Sequence, residues 1–289
     1  MSYFIFNGKN SRDYGTLAGV PIFPRSELGY TTQEIPGRAE PLIKPTTQYK
    51  TVTLALTLGI TDPLKAREIN QTFCGSGKLV LSTDLTKYYR AYAYPTTSSE
   101  RVSRRFGRIT INFICMPFAY AVTEAPVTFT DLIKYGNTEE TRHATVTVTN
   151  NGSVYCEPLY KIKFNGKLTI NVGGAETVIE SPGYYSTAQV AVADRLFVYK
   201  TETLEIYIDA YARIAYKYES GVRKVLCNFT SGQYPLLDVG DNVIKLSVAP
   251  RTETWEHDVE IDGDTVTRTF CYRDQCVNEL TITKNERWL

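Results

Sequence analysis

The residues whose chemistry depends most on spacing are the cysteines and histidines. Only two of the six cysteines are close together, Cys271 and Cys276 in CYRDQC, and the two histidines, His143 and His257, lack metal-ligand spacing. We therefore expect no metal and no cofactor. We expect thiols at Cys74, Cys115, Cys156 and Cys227, whereas the close pair leaves a cross-strand disulfide open as an alternative.

Motifs of the common enzyme classes are weak or missing. The segment CGSGK at 74–78 resembles the end of a phosphate-binding loop, but it lacks the first glycine and is followed by Leu79 rather than Ser or Thr. It also follows a predicted helix, whereas a phosphate loop precedes one. A glycosidase needs only two carboxylates, so the sequence leaves that chemistry open. With two histidines as candidate bases, we expect a protein that is not an enzyme.

The overall charge gives no reason to expect binding to nucleic acid or to a membrane. The 289 residues include 32 Lys and Arg against 31 Asp and Glu, a formal net charge of +1. The one basic cluster, ERVSRRFGR at 100–108, predicts a solvated loop or a docking site for an acidic partner; its arginines are Arg101, Arg104, Arg105 and Arg108. The sequence turns polar after six residues and has no long apolar run, so we expect a soluble protein made in the cytoplasm.

Alternation of apolar and polar residues dominates the sequence and predicts a mainly β fold of the sandwich class. The segments YKTVTLALTL, RITINFIC and LEIYIDAYARIAYKY show this period-two pattern. Hairpins are predicted in KIKFNGKLTI, with a type I′ turn at Asn165-Gly166, and at Ser220-Gly221. A further two-stranded arm is predicted in WEHDVEIDGDTVTRTFCY, with its turn at Asp262-Gly263.

One helix is predicted in TDPLKAREINQTFCG, with Asp62 as its cap, Pro63 at its first position and Gly75 at its end. The polar segment at 129–144 is interpreted as a linker. The chain is therefore predicted to form two domains, 1–135 and 136–289.

The segment TQEIPGRAEPLIKP at 32–45 presents a different problem. Pro36-Gly37 predicts a tight turn, yet the residues around it are mostly polar and offer little to bury. A hairpin of this composition has little reason to stay folded against its own chain. We therefore expect it to pack on another molecule.

Several segments, taken in order, resemble the distal tail proteins of siphophages. The start YFIFNGKNSRDYG is similar to the family's N-terminal pattern, which is carried here by Phe6, Asn7, Gly8, Ser11, Asp13 and Gly15. EIPGRAE resembles the family's Ile-Pro-Gly-Arg segment, and ICMPFAY its close of the first domain. In the second half, LEIYIDAYARIAY and SGQYPLLDVGDNVIKL are similar to family motifs. The hairpin at 255–272 has no good match.

The resemblance implies a fold for each domain. The first would be a sandwich-like, ring-forming domain with one short α-helix and a projecting hairpin arm, and the second a galectin-like β-sandwich. The arm would lie within residues 24–50 and reach the neighbouring subunit. Its site residues are Ile35, Pro36, Gly37, Arg38, Leu42 and Ile43.

The resemblance also implies a structural role in the virion. Such proteins form a homohexameric ring at the phage tail tip, between the major tail tube protein and the tail-associated hub protein. The second domain is often a platform for receptor-binding proteins, and the family belongs to phages, prophages and tailocins of Gram-positive hosts. The alternative is a carbohydrate-binding module that contacts the host cell wall directly, since fold alone does not establish function.

Overall fold

The computed structural model describes residues 2–62, 65–95, 100–101, 106–137, 140–180, 187–188, 198–199, 204–226, 230–249, 253–261, 264–272 and 274–289. Strands up to the middle of the chain are β1 (Phe4–Phe6), β2 (Lys9–Asn10), β3 (Thr16–Leu17), β4 (Leu28–Gln33), β5 (Leu42–Tyr49), β6 (Val52–Ile60), β7 (Gly75–Leu81), β8 (Asp84–Pro95), β9 (Glu100–Arg101), β10 (Gly107–Ala121), β11 (Val127–Asn137) and β12 (Arg142–Asn150). The remaining strands are β13 (Leu159–Asn165), β14 (Lys167–Val172), β15 (Ala175–Glu180), β16 (Thr187–Ala188), β17 (Val198–Tyr199), β18 (Leu204–Asp209), β19 (Ile214–Glu219), β20 (Val222–Val225), β21 (Thr230–Gly232), β22 (Gly240–Ala249), β23 (Glu253–Ile261), β24 (Asp264–Tyr272), β25 (Asp274–Thr283) and β26 (Arg287–Trp288). The helices are a 3-10 turn at Ser11–Asp13 and α1 at Ala66–Thr72.

The chain forms two compact units: Met1–Thr123 with Arg287–Leu289, and Glu124–Glu286. The division at 123/124 precedes the predicted boundary at 135/136. The reason is that β11 pairs with β25 and buries Ile133 in the core of the second unit. The segment interpreted as a linker therefore contains strand residues of β11 and β12. Whether 1–135 and 136–289 fold separately stays a prediction.

The first unit is built on a nine-stranded sheet with the path β2-β1-β7-β8-β10-β6-β3, to which β9 and β26 add by pairing with β10. One face buries the alternating apolar residues of the long strands, and these include the fully buried Phe4, Phe6 and Phe113. The ring of Phe113 meets the rings of Phe4 and Phe6 edge to face, with ring centroids 5.5 Å apart in each pair. Helix α1 adds the fully buried Ile69 to the same core. Burying a side chain of this size stabilises the unit by about 1.5–3 kcal/mol.

Helix α1 is shorter than predicted and begins differently. Its N-cap is Lys65, which makes no capping hydrogen bond with its side chain, so the prediction of Asp62 as the cap is wrong. Asp62 instead accepts a hydrogen bond from the Lys65 N–H through its backbone oxygen, at 3.1 Å. Pro63 lies outside the described residues. Gly75 has φ +87 and begins β7, two residues after the helix cap at Phe73.

The second unit contains two antiparallel sheets with the strand orders β11-β25-β13-β18-β19-β20 and β12-β22-β14-β15-β21. Alternate residues of both sheets belong to one apolar core, as with Ile162 and Phe164 on β13 and Leu168 and Ile170 on β14. Two sheets that share a core in this way form a β-sandwich. The prediction of a mainly β fold with sandwich architecture is confirmed.

The predicted hairpin at Asn165-Gly166 does not form, and this prediction was wrong. Strand β13 pairs with β18 and β25, whereas β14 pairs with β15 and β22, so the turn carries the chain from one sheet to the other. A two-residue hairpin would have paired Phe164 with Lys167 and placed one buried and one exposed residue on the same face. The crossover instead lets Phe164 and Leu168 both enter the core.

The other two predicted hairpins are present. Strands β19 and β20 pair across Ser220-Gly221, whose φ angles of +50 and +78 are those of a type I′ turn. Strands β23 and β24 pair along their whole length, which confirms the predicted two-stranded arm, although Asp262-Gly263 lies outside the described residues. A further hairpin, β14–β15, was not predicted; it turns at two glycines with positive φ, Gly173 and Gly174.

Candidate functional site

Strands β4 and β5 form a two-stranded sheet that pairs with no other strand of the described chain. Residues 31–41 of this β4–β5 hairpin are all exposed, and the six residues of β4 extend for about 20 Å. A two-stranded hairpin with no apolar face covered is only marginally stable in water. The β4–β5 hairpin is therefore the element of the first unit that gains most from contact with another surface.

The tip of the hairpin, which we define as residues 34–41, is closed by a type II turn. The Arg38 N–H donates to the Ile35 carbonyl oxygen at 3.0 Å, and Gly37 has φ +82. Proline presets the φ of the first central position and glycine accepts the positive φ of the second, so Pro36-Gly37 fits this turn. The predicted turn is therefore present.

The six predicted arm residues all lie at or beside the tip, although nothing in the structure tests their role in a contact. Ile35, Pro36, Gly37 and Arg38 form the turn, while Leu42 and Ile43 begin β5 opposite Gln33 and Thr32. Ile35 is 39% exposed and Ile43 is 61% exposed. Exposed isoleucines on a polar hairpin are a feature that a contact with another molecule would explain.

The base of the hairpin is attached to the body of the first unit. Tyr49, at the end of β5, meets Phe118 edge to face at 5.3 Å, and the Arg287 guanidinium lies 4.6 Å from the same ring. The Ser26 hydroxyl donates to the Lys50 carbonyl oxygen at 2.6 Å, which joins the two ends of the hairpin. The hairpin is thus fixed at its base and exposed at its tip.

Sequence reasoning missed three further apolar residues near this hairpin. Val20 is 64% exposed, Ile22 76% and Tyr30 58%. Val20 and Ile22 precede the hairpin in GVPIFP, where the proline between them and the lack of alternation argue against a buried strand. This pattern in the sequence could have indicated that Val20 and Ile22 are exposed. Tyr30 thus adds an exposed apolar side chain to β4, and Val20 and Ile22 are exposed in the segment that precedes the hairpin in the sequence.

The cysteines, histidines and acidic residues were the candidates for a metal site. No group of three or more His, Cys, Asp or Glu is placed to hold a metal in that part of the chain. Burial raises the pKa of the Cys115 thiol to about 12. The side chain of Cys271 lies outside the described residues, so the redox state of the Cys271–Cys276 pair stays a prediction.

The structure describes the segment CGSGK completely but the basic cluster only in part. CGSGK does not form a phosphate loop, because Gly75–Leu81 is strand β7 and no helix begins there. Of the basic cluster, Arg108 is exposed on β10, whereas residues 102–105 and the side chain of Arg101 lie outside the described residues. No helix in the described part of the chain has the length and hydropathy that crossing a membrane requires.

The exposed face of the six-stranded sheet in the second unit carries stacked tyrosines. The rings of Tyr207 and Tyr216 stack with their centroids 5.2 Å apart, and the Arg223 guanidinium lies 3.8 Å from the ring centroid of Tyr216. The Tyr207 hydroxyl donates to Glu205 at 2.7 Å, and this hydrogen bond raises the pKa of Tyr207 to about 12. Lys161 pairs with Glu205 at 3.3 Å. The rings thus contact one another and an arginine.

Comparison with solved structures identifies a similar fold. The chain is similar to the crystal structure of the Dit protein (gp 19.1) of phage SPP1, described as a paradigm of the hub adsorption apparatus in phages that infect Gram-positive bacteria. The two are 12% identical with a TM-score of 0.54, and the alignment covers 86% of this chain and 98% of that one. No family model matches the sequence, and no curated protein matches it. The chain therefore has a fold distantly similar to that of SPP1 Dit.

Proposed function

We propose that this protein is a structural component of a phage tail tip, in which copies of the chain form a hexameric ring. The single observation that carries the proposal is the β4–β5 hairpin, which is fixed at its base and exposes Ile35 and Ile43 at its far end. The similarity of fold to SPP1 Dit, a hub protein, supports the same role.

The hairpin suits a ring because it supplies a contact between unlike surfaces. A contact in which one subunit's projection meets a different surface of the next is heterologous, and it closes into a ring when the angle between neighbours is fixed. Attachment of the base through Tyr49 and Phe118 limits that angle. The hairpin then stays exposed in the monomer and becomes buried in the ring.

In this role the ring would join the major tail tube protein to the tail-associated hub protein. The second unit would support receptor-binding or other baseplate proteins, and the protein would reside in the virion, at the tail tip. We further propose that the role is structural and not catalytic. An absence of lytic activity on purified host cell walls is the expected result, and release of soluble wall fragments would contradict it.

The alternative, a carbohydrate-binding module, is not favoured by the stacked tyrosine Tyr216 of the second unit. Binding of a sugar by stacking needs a free aromatic face. The ring of Tyr216 contacts Tyr207 and the Arg223 guanidinium and is only 7% exposed, so it offers no free face. Measuring the binding of the full chain to host wall glycans distinguishes the two functions, because only the alternative requires it.

The proposed ring is tested by the mass of the purified protein in solution together with negative-stain imaging. We expect six-fold rings with six times the 32.6 kDa mass of the chain. The matched variant replaces residues 32–43 by Asn-Gly between Thr31 and Lys44, which are already paired. This shortened hairpin should keep the circular dichroism spectrum and the melting temperature but lose the ring.

Three outcomes are distinguishable. Rings from the parent chain and none from the shortened variant support the proposal. Rings from both would show that the hairpin does not hold the ring together. A parent chain that remains monomeric at high concentration would contradict the ring itself.

A further inference from the structure

The sheet of the first unit has a second face that is not covered by the core. Four large apolar side chains on this face are exposed: Tyr92 by 50%, Tyr94 by 39%, Ile114 by 41% and Met116 by 52%. They alternate with the buried residues of β8 and β10, two neighbouring central strands. Exposed apolar residues that cluster on one face usually mark a binding surface.

The cross-strand register makes this face continuous. Tyr92 lies opposite Ile114, and Ser76 and Thr53 extend the same row onto the strands on either side. In the next row, Tyr94 lies opposite Asn112, which lies opposite Ala55. Small side chains therefore flank the large apolar ones. We call the surface formed by Tyr92, Tyr94, Ile114 and Met116 the acceptor face.

The margin of the acceptor face is basic. Lys78 lies opposite Arg90 in the register of β7 and β8. The Lys78 ammonium is 4.5 Å from the ring centre of Tyr88, and the Arg90 guanidinium is 4.3 Å from that of Tyr120. Each cation is thus held over an aromatic ring. A partner with apolar residues and nearby carboxylates would complement this surface.

We infer that the acceptor face binds the β4–β5 hairpin of a second copy of this chain. The inference rests on the proposed function, since it assigns the surface that receives the hairpin in the ring. The hairpin offers exposed Ile35 and Ile43, and its tip carries the exposed carboxylates Glu34 and Glu40 against the single cation Arg38. Apolar residues would meet the tyrosine and isoleucine row, and the carboxylates would approach the basic margin.

The same chain carries both surfaces, and within one chain they do not satisfy each other. Ile43 is 61% exposed and Tyr92 50% exposed in the same structure, so the hairpin does not cover its own acceptor face. One donor and one acceptor on each chain give every subunit two different neighbours. Such a contact propagates from subunit to subunit, as a closed ring requires.

The test uses two full-length variants. One replaces Tyr92→Ser and Ile114→Ser and keeps the hairpin, while the other is the shortened hairpin, which keeps the acceptor face. Because the substituted side chains are exposed, we expect unchanged circular dichroism and a weakening of self-association by about tenfold or more. The control variant, Tyr211→Ser with Val222→Ser, removes similar side chains that are 58% and 62% exposed in the second unit.

Mixing the two variants gives the decisive result. Each alone should be monomeric, but the hairpin of the first fits the intact acceptor face of the second. The mixture should therefore form a one-to-one dimer that does not grow, as measured by sedimentation. Met116→Lys provides a second acceptor-face variant should the double serine variant fold poorly.

Each remaining outcome overturns a different statement. If the acceptor-face variants assemble as the parent does while the shortened hairpin does not, the acceptor face is wrong and the ring survives. If the mixture stays monomeric, the hairpin and this face do not meet, and another partner covers the face. A monomeric parent chain would remove the proposed function and this inference together.

Discussion

The turn at Pro36-Gly37 and the turn at Asn165-Gly166 both use a glycine with positive φ, +82 and +101, but their surroundings differ. The first ends an exposed hairpin whose strands pair with each other alone. The second is buried and connects two sheets of one sandwich. The turn residues are similar in the two places. The apolar surface that the neighbouring residues bury is large at Asn165-Gly166 and small at Pro36-Gly37. The turn residues decide the structure at Pro36-Gly37, where no core competes with them, and do not at Asn165-Gly166, where one does.

The largest effect that separates the two turns is expected from truncating the residues beside them. Phe164→Ala removes a fully buried ring next to Asn165 and should lower the free energy of unfolding of the second unit by about 3–5 kcal/mol. The matched change Ile43→Ala beside the tip should alter the free energy of unfolding by no more than about 0.5 kcal/mol, because Ile43 is exposed. Urea unfolding followed by circular dichroism measures both, and equal losses would contradict the comparison.

The same contrast explains which parts of the fold could be predicted from the sequence. Strand β6 follows the predicted alternation residue by residue, because every second side chain enters one core. The crossover after β13 was missed, although Phe164 and Lys167 could not have shared a face of a hairpin. Comparing cross-strand partners, and not the turn residues alone, would have found it.

The candidate site was predictable only in part. The turn at Pro36-Gly37 followed from the local chemistry of proline and glycine. The acceptor face did not, because Tyr92 and Ile114 come together only through the pairing of β8 with β10. A strand that alternates correctly has an outer face whose function depends on its neighbours. Sequence alone does not supply that pairing.

The next largest effect is expected in hydrogen exchange of the unassembled chain, in which the amides of β13 and those of the β4–β5 hairpin should exchange at different rates. The amides of Ile162 and Phe164 lie in a strand paired on both sides, so they should open only with the second unit. The amides of β4 and β5 near the tip should open locally, with a free energy of opening lower by about 2 kcal/mol or more, since an isolated hairpin is marginally stable. Equal protection would show that the hairpin unfolds together with the first unit.

Substituting the two glycines should give a smaller difference. A side chain at positive φ costs about 1–2 kcal/mol, so Gly166→Ala should lower the free energy of unfolding of the second unit by that amount. Gly37→Ala carries a similar backbone cost, and a Cβ there meets nothing within 4 Å. Because the hairpin opens locally, global unfolding should hardly change, and only exchange at the tip should become faster. A lower melting temperature for Gly37→Ala would contradict local opening.

The smallest effect concerns a third turn, Ser220-Gly221. Strand β20 after this turn is exposed along its length, but it is attached to a sandwich sheet through the partly buried β19. Hydrogen bonds and ion pairs from Lys217 and Lys224 lower the pKa of Glu219 from 4.5 to about 2. A carboxyl whose pKa is lowered in the folded state stabilises that state above the unfolded pKa, and this contribution is lost as the pH falls through the folded pKa.

The stability of the second unit should therefore decrease slightly between about pH 4.5 and pH 2, and Glu219→Gln should remove that part of the decrease. Because the Lys224 side chain is exposed, its part of the effect should also shrink at high salt. Urea unfolding of the parent and of Glu219→Gln at pH 6 and pH 3 makes the measurement. Lys224→Met, which removes one of the two partners, should give an intermediate result. If the parent and Glu219→Gln differ equally at both pH values, the ion pairs do not stabilise this hairpin, and it is held by its sheet alone.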